Sequence, residues 1–180
     1  MFRRVVVPLA ITLVPIFLPA QASAVSDWDS DDTKGLFDLR WFGAAFTADG
    51  EEIQLTLSFY EGFDPAALPR YPRRSESMVW IQLTALEQGD LDGWFLKRPD
   101  GRIIFEWGEG GHFRLREVVH RPSPNVLSVR IGIRSVYDPT RPGFPIYRPT
   151  VHSSWHEGGT RFADWMDPLD LGPQPVIDWP

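Results

Sequence analysis

From Ile53 to Tyr60 the chain alternates without a break, with Ile53, Leu55, Leu57 and Phe59 on one side and Gln54, Thr56, Ser58 and Tyr60 on the other. Only an extended strand sends successive side chains to opposite faces, so this segment predicts a strand with one buried face. The pattern recurs: Met78 to Leu86 sets Val79, Ile81, Leu83 and Ala85 on one face. Phe37 to Thr47, Trp94 to Arg98, Arg102 to Trp107, His112 to Val119, Val126 to Val136 and Ile146 to Trp155 read as further strands. No stretch keeps a 3.6-residue period over ten residues, and 17 prolines with 15 glycines punctuate the chain too often for long helices. Asp49-Gly50 and Asp100-Gly101 read as two-residue hairpin turns, because Asp-Gly accepts the positive φ of a type I′ turn. Arg121 to Asn125 reads as a third hairpin, joining His112–Val119 to Val126–Val136, and Glu61 to Ser77, with Pro65, Pro69 and Pro72, as a long surface loop. The run from Asp164 reads as irregular or as an edge strand. About nine short strands predict a single all-β domain over residues 25–180, a two-sheet antiparallel β-sandwich of jelly-roll or immunoglobulin-like kind.

The N-terminus carries a different signal. Arg3 and Arg4 precede the apolar run Val5 to Leu18, and Pro19 is followed by Ala22-Ser23-Ala24, the small-x-small pattern of a cleavage site. Residues 1–24 therefore read as a signal peptide, and the working chain as secreted, either extracellular or periplasmic. A retained anchor needs ~20 apolar residues; this run is shorter and broken by Pro8 and Pro15, so no membrane span is expected after cleavage. The paired arginines raise twin-arginine export, but their neighbours favour the general secretory route. There is no cysteine, which removes a lipid anchor, thiol enzymes and disulfides together. The net charge is −6, and about −8 once Arg3 and Arg4 are gone, which argues against nucleic acid and anionic membranes as partners.

Catalytic motifs are missing. There is no Gly-x-Ser-x-Gly elbow or P-loop, and Gly108-Glu109-Gly110-Gly111 has neither the spacing nor the helix of a dinucleotide fingerprint. His152 and His156 sit four apart without a His-Glu-x-x-His motif; on a strand they would be about 13 Å apart, too far to share a zinc ion. Three other features point to binding. Asp27, Asp29 and Asp31 alternate as in a calcium loop, with Asp38 further on, and hard oxygen ligands suit calcium; a solvated acidic lead-in is the alternative. Trp80 lies on the polar side of its strand with Gln82 and Thr84, and Tyr60 on the side of Gln54, Thr56 and Ser58. An aromatic ring beside amides and hydroxyls is how a sheet face stacks against a sugar, unless a loop covers it. Arg114 and Arg116 alternate with Phe113 and Leu115, and Arg130 and Arg134 with Val129, Ile131 and Ile133. In one hairpin all four would share an outward face, able either to grip anionic groups or to pair with acids across strands.

The aspartate lead-in, Gly35-Leu36-Phe37-Asp38-Leu39, and Ile53 to Phe59, followed later by Ser154-Trp155, Phe162-Ala163-Asp164 and Asp167-Pro168, resemble exported bacterial β-sandwich domains of the family-nine carbohydrate-binding-module and DOMON-like type. That resemblance implies a non-catalytic ligand-binding sandwich, sometimes with calcium near its N-terminus. The reading that follows is ligand binding through a sheet face, with an extracellular glycan or envelope polymer as partner. A structural or protein-interaction domain of the envelope is the first alternative and an extracellular hydrolase the second.

Overall fold

A computed structural model describes residues 24–33, 35–70, 77–85, 89–109, 112–133 and 147–172, and eleven strands run through them. In chain order these are β1 (Ala24–Trp28), β2 (Leu39–Phe46), β3 (Glu52–Phe59), β4 (Met78–Ala85), β5 (Gly89–Lys97), β6 (Ile103–Glu109), β7 (His112–Val118), β8 (His120–Ser123), β9 (Val126–Gly132), β10 (Tyr147–Glu157) and β11 (Thr160–Met166). They form two antiparallel sheets, ordered β1-β2-β3-β9-β8 and β11-β10-β4-β5-β6-β7. The chain is all-β, as its alternation predicts, and no helix among the described residues is long and apolar enough to cross a membrane. The expected signal peptide falls on residues outside the described ones, except for Ala24, which opens β1.

One core joins the sheets. Phe42, Ala44 and Phe46 of β2, Ile53, Leu55, Leu57 and Phe59 of β3 and Leu127, Val129 and Ile131 of β9 face Val79, Ile81 and Leu83 of β4, Phe95 of β5, Phe105 and Trp107 of β6, and Tyr147, Val151 and Trp155 of β10. In β2 the buried positions slip from Leu39 to Phe42, an odd step, because a bulge shifts the register between Leu39 and Trp41. Phe37, Phe59 and Phe63 close one end, with ring centroids 5.2–5.7 Å apart.

Several local expectations change. The Asp49-Gly50 turn is longer than two residues: Thr47 N–H donates to Glu52 O and Gly50 N–H to Thr47 O, with Gly50 at φ 70°. Asp100-Gly101 follows the same plan, with Gly101 N–H donating to Arg98 O at φ 85°. In each the turn ends on a left-handed glycine, the geometry of three- and four-residue hairpins. The 61–77 loop is partly built in: Asp64 accepts a bond from Ala66 N–H at a 3₁₀ turn over Pro65–Ala67, and Phe63 and Leu68 are buried; residues 71–76 lie outside the described ones. The run from Asp164 is regular as far as Met166, where β11 ends as the sheet edge.

The largest correction concerns β7 and β9. They do not form a hairpin, because the chain crosses between sheets at Val119, and the tight hairpin around Pro124-Asn125 joins β8 to β9. Val119 is buried at the crossing while His120 restarts the alternation in the other sheet.

Candidate functional site

The aspartate lead-in is anchored. β1 pairs with β2 from Ala24↔Ala45 to Trp28↔Trp41, and Asp29 N–H continues the ladder to Arg40 O at 3.0 Å. The Tyr60 hydroxyl donates to the carbonyl of Asp29 at 2.7 Å, and the Arg40 guanidinium lies 5.6 Å from the Trp28 ring centre and 6.0 Å from that of Tyr60. Tyr60 is therefore a strut for this arm and shares no surface with Trp80, which lies in the other sheet.

The arm ends in a cluster of acids. Asp29, Asp32 and Asp164 each bring an oxygen within 4.8 Å of the others. Asp164, on β11, is 6% exposed; its Oδ2 accepts from Leu39 N–H and its Oδ1 from Trp165 N–H, both at 2.8 Å. That bond ties the edge of one sheet to the start of β2 in the other. Asp38, next to Leu39, is 2% exposed, and its Oδ1 has no hydrogen-bond partner; the same is true of the buried Oδ2 of Asp29. Burial pushes the Asp38 carboxyl up to about 7, and the charges of Asp164, Asp31, Asp32 and Asp29 add to it. Burial likewise raises Asp164 to about 6, with Asp29's charge adding and the two backbone N–H groups holding it back. Asp29 is raised by burial and by Asp32 and Asp27, against the Ser30 N–H. Of the residues read as calcium ligands, Asp29 belongs to this cluster, Asp38 is buried next to Leu39 and is not among its members, Asp27 lines the cleft beside it, and Asp31 is exposed.

Two members, Asp32 and Asp164, were not in the sequence-derived set. Asp164 had a signal: it sits between Phe162 and Met166 on the inward side of β11, an acid at an apolar position. Beside the cluster opens a cleft of about 420 Å³, lined by Asp27, Trp28, Asp29, Asp32, Thr33, Asp164, Trp165 and Asp167 among others. Trp28 and Trp165 are 65% and 63% exposed, unlike the buried Trp107 and Trp155.

Trp165 also ends a row across the outer face of the six-stranded sheet. The register aligns Trp165 with His152, His152 with Trp80, Trp80 with Trp94, Trp94 with Glu106 and Glu106 with Arg116. Trp80, Gln82 and Thr84 are half-buried on this face, as the alternation predicts. The rings of Trp80 and His152 stack at 4.8 Å and 10°, so one face of Trp80 is already covered. Burial lowers the His152 imidazole, with Asp92 opposing. The neutral ring's contribution to stability is then fully present above the ordinary value near 6.5 and is lost as pH falls through the lower folded value. An NMR titration is expected to place the His152 midpoint below 6.5, and Trp80→Ala to return it upward; a wild-type midpoint at or above 6.5 would contradict the stack's desolvating role.

The arginines are dispersed. Arg116, on β7, bonds Glu106 at 3.0 Å, and Arg130, on β9 in the other sheet, lies 3.9 Å from Glu52. Arg134 and the side chain of Arg114 lie outside the described residues. Among the described residues, Arg116 and Arg130 therefore share no face, because the crossover at Val119 separates the strands that one hairpin would have aligned. When the chain is compared with known proteins, no family model, curated protein or solved structure matches it.

Proposed function

We propose that this chain is an exported, non-catalytic binding domain whose ligand is a glycan or another hydroxyl-rich envelope polymer, held in the cleft between Trp28 and Trp165. One observation carries the reading: these exposed tryptophans line the same carboxylate-bearing cleft. Sugar rings are apolar on their C–H faces and polar at their rims, so indole faces with carboxylates and hydroxyls beside them meet both needs. The site thereby moves from Trp80, half-covered by His152, to the end of the same aromatic row. Trp80, Gln82 and Thr84 back that row as the outer sheet face. In this reading residues 1–24 are the signal peptide that delivers the domain.

The test is a polysaccharide pull-down followed by calorimetry on the mature chain. Each buried indole contributes about 1.5–3 kcal/mol, so Trp165→Ala and Trp28→Ala are each expected to weaken binding roughly ten- to hundredfold. No binding across a broad glycan panel, or full affinity in both variants, overturns the proposal and leaves the envelope-interaction reading. A hydrolase is the second reading, because carboxylates converge in a concave site and Asp164 is raised toward the range of a general acid. Against it, both oxygens of Asp164 are engaged by backbone N–H groups. Release of reducing ends from a bound polysaccharide, abolished by Asp164→Asn, would establish the hydrolase instead.

A further inference from the structure

Resting on the glycan-binding cleft between Trp28 and Trp165, we propose that its ligand is a linear, uncharged polysaccharide whose chain continues onto the outer face of the five-stranded sheet, where Trp41, Gln54 and Thr56 form a second subsite. Phe42, Ala44 and Phe46 take the inward side of β2, so Trp41, Gly43 and Ala45 face outward, beside Gln54 and Thr56 of β3. A second cleft of about 250 Å³ opens there, lined by Ser26, Trp41, Gly43, Ala45, Gln54 and Thr56 among others. The six-membered ring of Trp41 lies over Gly43, so closely that a Cβ on that residue would be 2.4 Å from its Cη2. The missing side chain thus holds the indole down against the sheet, next to the polar residues of β3. The Thr56 and Ser128 hydroxyls are 2.9 Å apart, and the Gln54 amide reaches Ser128 at 3.5 Å. A half-buried indole bordered by hydroxyls and an amide meets both the C–H face and the rim of a sugar ring.

The two clefts are joined. Trp28 lines the first and Trp41 the second, the register pairs them, and their ring centres lie 6.4 Å apart at 56°. That spacing is of the order of one sugar repeat in an extended chain. Trp165, Trp28 and Trp41 then meet successive units of one polymer, which a single terminal sugar could not span. Charge narrows the class further. Asp27, Asp29, Asp32, Asp164 and Asp167 line the first cleft, against the Arg40 guanidinium over Trp28, and the chain carries a net charge of −6. A chain of uronates or sulfated sugars would meet like charge along this path. The described residues that line the second cleft are all uncharged, so nothing there would compensate.

The experiment titrates the mature chain by calorimetry with β-1,4-linked oligomers of glucose, xylose, mannose and N-acetylglucosamine, in short and long forms, and with a galacturonate oligomer as the anionic counterpart. In the series that binds, affinity is expected to rise roughly tenfold from the disaccharide to the hexasaccharide, and the galacturonate oligomer is expected not to bind. Trp41→Ala is expected to remove that tenfold gain and to leave disaccharide affinity unchanged, whereas Trp165→Ala weakens both. Should Trp41→Ala disturb β2, seen as a changed circular dichroism spectrum, Gln54→Leu tests the same subsite and is expected to weaken the hexasaccharide alone, by a factor of about three to ten. Equal affinity for disaccharide and hexasaccharide, or full hexasaccharide affinity in both variants, overturns the second subsite and leaves the Trp28–Trp165 cleft standing. Galacturonate binding as tight as that of the uncharged hexasaccharide overturns the charge class. Failure of every oligomer to bind overturns the cleft and the subsite together.

Discussion

Trp155→Ala is expected to destabilise the domain by about 3–5 kcal/mol, a large part of the 5–15 kcal/mol typical of a single domain. Trp155 is 1% exposed on β10, and its ring stacks on Phe162 of β11 at 5.5 Å and 15°. Gly35 passes over the same indole so closely that a Cβ there would lie 2.6 Å from Nε1. The surrounding parts are a paired strand, a backbone segment and the core, none of which can collapse into the space an alanine would leave. The indole N–H is buried without an acceptor, so Trp155→Phe, which removes that donor and keeps most of the ring, is expected to destabilise much less. Urea unfolding monitored by circular dichroism distinguishes them. Equal midpoints for wild type and Trp155→Ala would show that the ring does not bear on the core.

Gly93→Ala is expected to be unusually harmful for so small a change, at about 3 kcal/mol, the upper end of ordinary overpacking. Gly93 is buried on β5 opposite Trp107, and the ring of Phe105 from β6 occupies the place of its missing side chain. A Cβ at residue 93 would lie 2.0 Å from Cζ of that ring. Phe105 cannot swing away freely, because it also packs on Phe95 at 4.8 Å and is itself buried. Shortening the ring should therefore relieve the clash. Denaturation of Gly93→Ala, Phe105→Leu and the double variant forms a cycle in which the double is expected to lose less than the sum of the singles. Strict additivity would mean that the two positions do not compete for the same space.

How far the candidate site could be read from the sequence depends on the distance between its parts along the chain. The alternation of Ile53 to Phe59 placed a strand because burial on one face is a local consequence of a two-residue period. The same rule set Trp80, Gln82 and Thr84 outward, where they are found. It could not give the partner of Trp80, because register is a property of two strands, and the His152 stack depends on β10 lying beside β4. Asp27, Asp29 and Asp31 looked like a set because they are neighbours in sequence. The structure selects Asp29 and leaves Asp31 exposed, because a strand turns alternate residues to one face only while the chain continues straight, and β1 ends at Trp28.

Four arginines at alternating positions were also compatible with one face or two. Nothing local distinguishes a hairpin from a crossover when each strand shows the same period; the choice lies with the buried Val119 between β7 and β8. From its residues alone this chain is committed to be all-β, with most of its inward faces set, since steric alternation and hydrophobic burial act over a few neighbouring residues. The folded chain alone brings Asp164 to Leu39, 125 residues away, and Trp165 to the cleft that Trp28 lines. Such pairings are decided by which strands lie side by side and which sheet edges meet, and those depend on the packing of the whole core.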